Sequence, residues 1–398
     1  MSENHFNRIR LISFMGSIFI SVCGEGFGHS SRSIAVAEQI KKMNNNVVLA
    51  SYNNVYKRLK SDGRFKVVRA ERELILEGKR GSLYLGESIL KTITALMAKN
   101  RELIKTEENV IKKSRAKCVI SDSRFSTLIA SSYNLGLPTI YIANQLKMPD
   151  KYLKEKRMRL LKKPIETLTK IAYLLADKII IPDFPPPITI SRNLISFESH
   201  ITKKIEFVGP VVSERLFSIK KNSHTSRKMI LVLTGGFGFE DPIISMIRKI
   251  GKIRDYKFIV ISKQIKRKEQ YKNIELLPFV KDVYQYMKSA DLIISHAGHS
   301  TIMEAITLGT NLIVIPFENH FEQEENARSI EKLKLGKVFR IKKHGEEKLV
   351  SIIDEILSDS EYRKNAKKLS KLSRKMRGAE RVARLSIKYA EKIDQFKK

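Results

Sequence analysis

The stretch from Asp291 to Asn326 reads DLIISHAGHSTIMEAITLGTNLIVIPFENHFEQEEN. Leu292-Ile293-Ile294 reads as a buried strand that breaks at Ser295-His296-Ala297-Gly298. His299-Ser300-Thr301 then opens a helix that stops at Gly309. A second apolar strand, Leu312 to Ile315, ends at Pro316, and a polar loop leads into another helix. A strand, a glycine turn and a hydroxyl-bearing helix start make an anion site. The first-turn N–H groups lack intrahelical partners, and the helix dipole adds partial positive charge. Ser300 and Thr301 can cap that helix or donate to a phosphate oxygen, with His296 and His299 as further donors. Glu304, one turn in, can take both hydroxyls of a ribose, and Glu322-Gln323 offers a carboxylate and an amide to sugar hydroxyls. A single unit of this kind is equally consistent with any α/β protein whose helices have ordinary caps.

The whole spacing narrows the choice. His-x-Gly-x-Ser-Thr-x-x-Glu from His296 to Glu304, then Gly309, Pro316 and Glu-Gln-x-x-Asn-Ala from Glu322 to Ala327, resembles the donor-binding signature of GT-B nucleotide-sugar glycosyltransferases. It is similar to the plant and animal UDP-glycosyltransferases. It is closer to the bacterial enzyme that adds N-acetylglucosamine to lipid I, and to archaeal relatives of that enzyme. The likeness is good across the second half of the chain. It implies an α/β fold of GT-B type: two Rossmann-like domains with parallel sheets facing across a cleft, and a C-terminal helix crossing back to the first domain.

At 398 residues the chain is long enough for two domains with substantial cores. Hydrophobic residues at 42% and charged residues at 29% mark a globular chain and exclude a disordered one. Lys and Arg number 75 against 42 acidic residues, and the resulting +33 should attract polyanions: nucleic acid, an anionic membrane face or phosphorylated substrates. A general Lys/Ile-rich composition bias explains the same excess. Cys23 and Cys118 make no disulfide framework or metal spacing, which indicates a reducing compartment and small core residues. Arg8 and Arg10 before the apolar run Leu11 to Cys23 imitate a signal peptide, but the run leads directly into a glycine loop and helix, as a first strand does. Residues 1–15 are therefore read as a tail. No segment reaches the roughly 18–20 apolar residues that span a bilayer, so the expectation is a cytoplasmic protein, soluble or peripheral on the membrane face.

In the first half, strand Ile18–Val22 is followed by Gly24-Glu25-Gly26-Phe27-Gly28-His29 and a helix from Ser30 to Lys42. Gly26 and Gly28 let backbone approach a ligand closely. No acidic residue ends the next strand, Val47–Ala50, so NAD binding fits poorly. Strands Phe65–Val68, Lys117–Ser121, Thr139–Ile142 and Ile179–Ile181 alternate with helices at Gly86–Ser114 and Phe125–Leu135, predicting a parallel, doubly wound sheet. Gly-x-Gly-x-Gly-His-x-x-Arg resembles the archaeal form of the family's first loop, which implies His29 as the general base for the acceptor hydroxyl. A loop histidine without that likeness is usually a surface residue. By the same resemblance Asp122 orients the base, as an Asp does in the plant enzymes; its other reading is an N-cap. Arg32 either grips a phosphate or is a solvated helix-face charge. Asn144-Gln145 is placed on the acceptor side.

Residues 147–176 interleave Lys151, Lys154, Lys156, Arg157, Arg159, Lys162 and Lys163 with Tyr152, Leu153, Met158, Leu160 and Leu161. Such a basic amphipathic stretch can lie on an anionic membrane or pack its apolar side on the domain. No nucleic-acid module is present, and no nucleic-acid partner is expected. The expected domains are 16–212 for the acceptor, 213–228 as linker, 229–376 for the nucleotide sugar and 377–398 as the crossing helix.

Thr234-Gly235-Gly236-Phe237-Gly238 follows strand Met229–Leu233 as a second glycine loop, aimed at the donor's diphosphate. Phe237 stands where the bacterial relatives usually have Ser, so one phosphate contact is absent or replaced. The resemblance places the nucleobase on the backbone of Val280 beside Phe279. The reaction it implies is inverting transfer of a hexose, N-acetylglucosamine first and glucose second, from a UDP-sugar to a polyprenyl-linked saccharide or glycolipid. No Asp-x-Asp motif occurs, and no metal or other cofactor is expected. The alternatives are a UDP-N-acetylglucosamine 2-epimerase-like enzyme of the same fold, or a non-catalytic protein that binds nucleotide sugars or polyanions.

Overall fold

The computed structural model describes residues 16–396 apart from 75–77, 80–81, 84, 148, 154–155, 196–201, 222–226, 235–239, 254–255 and 281. The tail 1–15, the loop glycines Gly235 and Gly236, and part of the expected linker lie outside the described residues.

Ser17–Val22 (β1), Val47–Ser51 (β2), Lys66–Arg69 (β3), Ala116–Asp122 (β4), Thr139–Ile142 (β5), Lys178–Ile181 (β6) and Ile205–Phe207 (β7) form the first sheet. Its order is β3-β2-β1-β4-β5-β6-β7, and every pair is parallel. The second sheet contains Met229–Leu233 (β8), Lys257–Ile261 (β9), Glu269–Tyr271 (β10), Ile274–Leu277 (β11), Leu292–Ser295 (β12), Asn311–Val314 (β13) and Gly336–Val338 (β14). Its order is β10-β11-β9-β8-β12-β13-β14, with only the edge strand β10 antiparallel. The central strands are Ile/Val runs because helices cover both faces of each sheet. In the second lobe Leu231, Ile293 and Leu312 pack on one face, while Ile230, Ile294 and Ile313 pack on the other.

The helices that matter below are Phe27–Lys42 (α1), Asn53–Asp62 (α2), Leu85–Lys113 (α3), Lys156–Leu175 (α4), Glu240–Ile253 (α5), Tyr284–Ser289 (α6), His299–Leu308 (α7), Phe321–Lys332 (α8), Glu346–Ser358 (α9), Ser360–Met376 (α10) and Gly378–Phe396 (α11). Three differ from the sequence reading. α1 begins at Phe27 rather than Ser30, because Gly26 at φ 82° makes the whole turn and frees Gly28 to join the helix. α2 was not assigned from the sequence; it buries only Val55 and Leu59, and Gly63 in the left-handed region ends it. The segment after Phe125 is a short α-helix that widens into a π-helix over Ile129–Asn134.

The last helix returns to the first lobe. Ala379, Val382, Ala383 and Ala390 join the cluster of Ile18, Ile20, Ile34 and Ala37. The chain therefore passes between lobes twice, near Gly209-Pro210 and at Gly378, and the two passages touch. A Cβ on Gly378 would lie 2.6 Å from the carbonyl oxygen of Pro210 and 2.8 Å from that of Gly209. Backbone there cannot swing aside as a side-chain tip can. Gly378→Ala is expected to cost about 1–3 kcal/mol of stability, read as a lower urea midpoint. Gly345→Ser, in open space at the start of α9, is expected to be neutral or slightly stabilising because serine can cap that helix.

Candidate active site

In each sheet the strand order reverses beside the first strand of the lobe, and a crevice opens at that point. In the first lobe β1 and β4 are neighbours with Val22 opposite Asp122, so the glycine loop and Asp122 emerge side by side. In the second, β8 and β12 are neighbours with Leu233 opposite Ser295, which sets the His296–Gly298 turn at the mouth. The two crevices share one cleft of about 1500 Å³. Gly26, Gly28, His29, Arg32 and Asn144 line it from one side; Phe279, Val280, His296, Gly298, His299, Ser300, Thr301, Glu304, Glu322 and Gln323 line it from the other. Gln145 is exposed and does not line the cleft.

Two helix N-termini meet across this space. No side chain caps α1, which starts after Gly26, or α7, which starts after Gly298. Ser300 and Thr301 therefore leave the first-turn N–H groups of α7 open to a ligand, contrary to a capping role. A Cβ on Gly28 would lie 2.7 Å from Ser300 Oγ, so a larger residue there would require the Ser300 side chain to shift.

On the first-lobe side, His29 Nδ1 lies 2.8 Å from Asp122 Oδ1. The ring is 23% exposed, whereas the Asp122 carboxylate is fully buried. Arg32 Nε donates to Asp122 Oδ2 at 2.7 Å, Ser33 Oγ donates to the same oxygen at 3.1 Å, and Arg32 Nη2 donates to Oδ1. Burial pushes the Asp122 pKa up, but Arg32 and His29 outweigh it and hold the carboxyl well below the usual range. Nδ1 is also 2.9 Å from Arg32 Nη2. The permanent anion decides between these contacts: Nδ1–H donates to Asp122, and the Nε2 lone pair is left for the cleft.

Both alternative readings of this corner give way. Asp122 does not cap the helix at Phe125, which has no side-chain cap. Arg32 is only 4% exposed, so it is not a solvated charge; its donors go to Asp122 and, at 3.2 Å, to Asn144 Oδ1 rather than outward to a phosphate. That occupation follows from packing across the sheet, which helical spacing does not reveal.

On the second-lobe side, Glu304 is 8% exposed and accepts from Tyr284 Oη at 3.1 Å. Burial raises its pKa to about 7, against the pull of Tyr284 and Arg58. His296 stacks on Phe317 with centroids 4.8 Å apart; burial and the neighbouring His320 lower its pKa to about 4, so it is neutral at pH 7. The His299 ring turns away from the helix mouth, with Nε2 3.3 Å from Asp183 Oδ2. Gln323 Oε1 accepts from the Phe317 N–H at 3.0 Å, and Glu322 Oε1 accepts from Asn144 Nδ2 at 2.6 Å. Phe279 is 59% exposed at the rim.

Sequence reasoning missed Tyr284, Arg58 and Asp183. Asp183 had a signal, since it follows strand β6 as Asp122 ends β4; Tyr284, one aromatic on a short helix, had none. It read Lys151 and Tyr152 as part of a stretch that lies on an anionic membrane or packs its apolar side on its own domain, with no partner in the second lobe. Tyr152 Oη instead donates to Glu325 on α8 at 2.7 Å, Lys151 pairs with the same carboxylate, and Asn193 donates to its other oxygen at 2.7 Å.

Residues 229–382 match the Glycosyltransferase family 28 C-terminal domain. Over 384 residues the chain is 31% identical to an "Uncharacterized glycosyltransferase" of Methanosarcina mazei, covering 94% of this chain and 99% of that one. Over 140 residues it is 32% identical to the UDP-N-acetylglucosamine–N-acetylmuramyl-(pentapeptide) pyrophosphoryl-undecaprenol N-acetylglucosamine transferase of Thermosipho africanus, covering 34% of this chain and 42% of that one. Among solved structures it superposes on the kitacinnamycin glycotransferase with a TM-score of 0.66 at 17% identity, covering 94% of this chain and 100% of that one. Acinetobacter baumannii MurG gives 0.58 at 15% identity, covering 94% and 99%. A shared cleft between two Rossmann-like lobes, a family 28 domain in the second and a full-length relative place the chain among the GT-B glycosyltransferases.

Proposed function

We propose that the protein transfers a hexose, N-acetylglucosamine in the first instance, from a UDP-sugar to a hydroxyl of a lipid-linked saccharide or glycolipid, with inversion at the anomeric carbon. The observation that carries this reading is the His29–Asp122 pair facing the uncapped N-terminus of α7 across one cleft. The Thermosipho africanus relative, whose name specifies a UDP-N-acetylglucosamine donor and a pyrophosphoryl-undecaprenol acceptor, supports the choice of donor and acceptor class.

In this mechanism the diphosphate lies against the open N–H groups from Gly298 to Thr301. Those dipoles are fixed before the reaction and stabilise the charge that develops as the sugar bond breaks. Glu304 takes the ribose hydroxyls with the oxygen that Tyr284 leaves free, and Val280 with Phe279 holds the base. Glu322 and Gln323 face the sugar. Nε2 of His29 removes the acceptor proton as the hydroxyl attacks opposite the leaving group, and Asp122 stabilises the imidazolium that forms. Attachment at the cytoplasmic membrane face is part of the proposal. None of the helices among the described residues is long and apolar enough to cross a membrane, and Leu174 on α4 is 77% exposed.

His29→Ala is expected to lower UDP release from a UDP-sugar by about 10²–10⁴-fold while UDP affinity, read by calorimetry, stays unchanged. Wild-type turnover in that variant would remove His29 from the chemistry.

Glu304 gives a pH test. Ribose hydroxyls donate to a carboxylate, so nucleotide binding favours the ionised form of a group whose free pKa is about 7. UDP affinity should therefore rise with pH below that value, by up to about tenfold per unit, and level off above it. Glu304→Gln should bind UDP more weakly and lose this part of the slope. An identical slope in both proteins would contradict the ribose role.

A further inference from the structure

Asn144 stands between two oppositely charged groups that belong to different lobes. Its Oδ1 accepts from Arg32 Nη1 at 3.2 Å, and its Nδ2 donates to Glu322 Oε1 at 2.6 Å. The residue is only 7% exposed. A guanidinium can only donate and a carboxylate can only accept, so the amide's orientation is dictated at both ends. Reversing it would set donor against donor and acceptor against acceptor. From Arg32 the chain continues to Asp122 and His29, and Glu322 stands in the first turn of α8. An unbroken run of hydrogen bonds, His29–Asp122–Arg32–Asn144–Glu322, thus crosses the cleft. Asp in place of Asn144 would still accept from Arg32, but it would oppose the Glu322 carboxylate and compete with Asp122 for the guanidinium.

We propose that Asn144 is a positioning residue that couples the sugar side of the donor site to the base. This rests on the reading of His29 as base and Glu322 as sugar contact. Asn144 holds Glu322 by one oxygen, so that the other is presented to a sugar hydroxyl. At its other end it fixes the arm of Arg32 that points away from Asp122. The base is then held in its working orientation only while the donor lobe is in register with it. Asn144 touches neither the diphosphate cradle nor the ribose carboxylate, so its effect belongs to turnover and to the sugar, not to UDP.

The polarity of the bridge supplies the test. Asn144→Asp, Glu322→Gln and the double variant are compared in the full-length protein by thermal midpoint, by calorimetric UDP affinity and by UDP release. The donor for the last is whichever of UDP-N-acetylglucosamine and UDP-glucose the wild type turns over faster. Asn144→Asp is expected to lower UDP release about tenfold or more, with UDP affinity within about twofold of wild type. Glu322→Gln added to it re-creates a donor facing an acceptor and leaves the amide oxygen for the sugar hydroxyl, so the midpoint should recover and the rate should rise from that of Asn144→Asp toward that of Glu322→Gln alone. A double variant slower than Asn144→Asp overturns the coupling. Recovery of the midpoint without recovery of the rate reduces the bridge to a structural tie and overturns the positioning role. If Asn144→Asp does not fold, Asn144→Ser, too short to span both partners, takes its place; wild-type UDP release in folded Asn144→Ser defeats the proposal. Full activity in His29→Ala would instead sink the base assignment, so the two failures are distinguishable.

Discussion

Asp122 is a carboxylate with no exposed surface, and its compensation organises the first-lobe half of the cleft. It lies in the last position of β4, next to Val22 at the end of β1, where the strand order reverses. Burial by itself would favour the neutral acid. The guanidinium of Arg32, itself buried, reverses that preference and is in turn kept ionised by the carboxylate. Removing one member of such a pair strands the other, typically at about 3–5 kcal/mol. The same ion pair fixes the first turn of α1, and with it the ring of His29. The charge that holds the lobe together here is also the charge that would steady an imidazolium.

The second lobe presents the complementary feature, a helix that begins without a cap. Between the uncapped start of α7 and the start of α1 the lobes close to near contact, with the Ser300 side chain filling the space above Gly28. Polar ties beside this contact set the register. Glu325 on α8 gathers Tyr152 and Asn193 from the first lobe, and His299 meets Asp183. Behind the cleft, α11 returns the chain to the first core, so the lobes are joined by covalent chain and by packing at once.

The fold was largely legible because its signals are local. Ile/Val runs between helices predict parallel strands, and the spacing from His296 to Ala327 carries the family likeness. Position at the cleft was legible where a rule of strand ends or helix starts applied: His29, His296 and Glu304 line it, and Asp122 stands behind His29. The burial of Arg32, which excludes a solvated charge, was not legible because it depends on a carboxylate ninety residues away in sequence, delivered by the strand order. Asn144 was read as an acceptor contact, since nothing near it in the chain announces Glu322. His299 looks like a phosphate donor in the linear motif, yet its ring is claimed by Asp183 on the other lobe. What sequence could not show was pairing between lobes, which no single stretch contains.

The central claim is that a diphosphate occupies the open N-terminus of α7 while the imidazole of His29 faces it. A crystal structure with UDP bound would test this most directly. The account predicts the β-phosphate hydrogen-bonded to backbone N–H groups between Gly298 and Thr301, with the ribose on Glu304 and His29 across from the phosphate. UDP seated instead against the start of α1, with α7 left unoccupied, would contradict it.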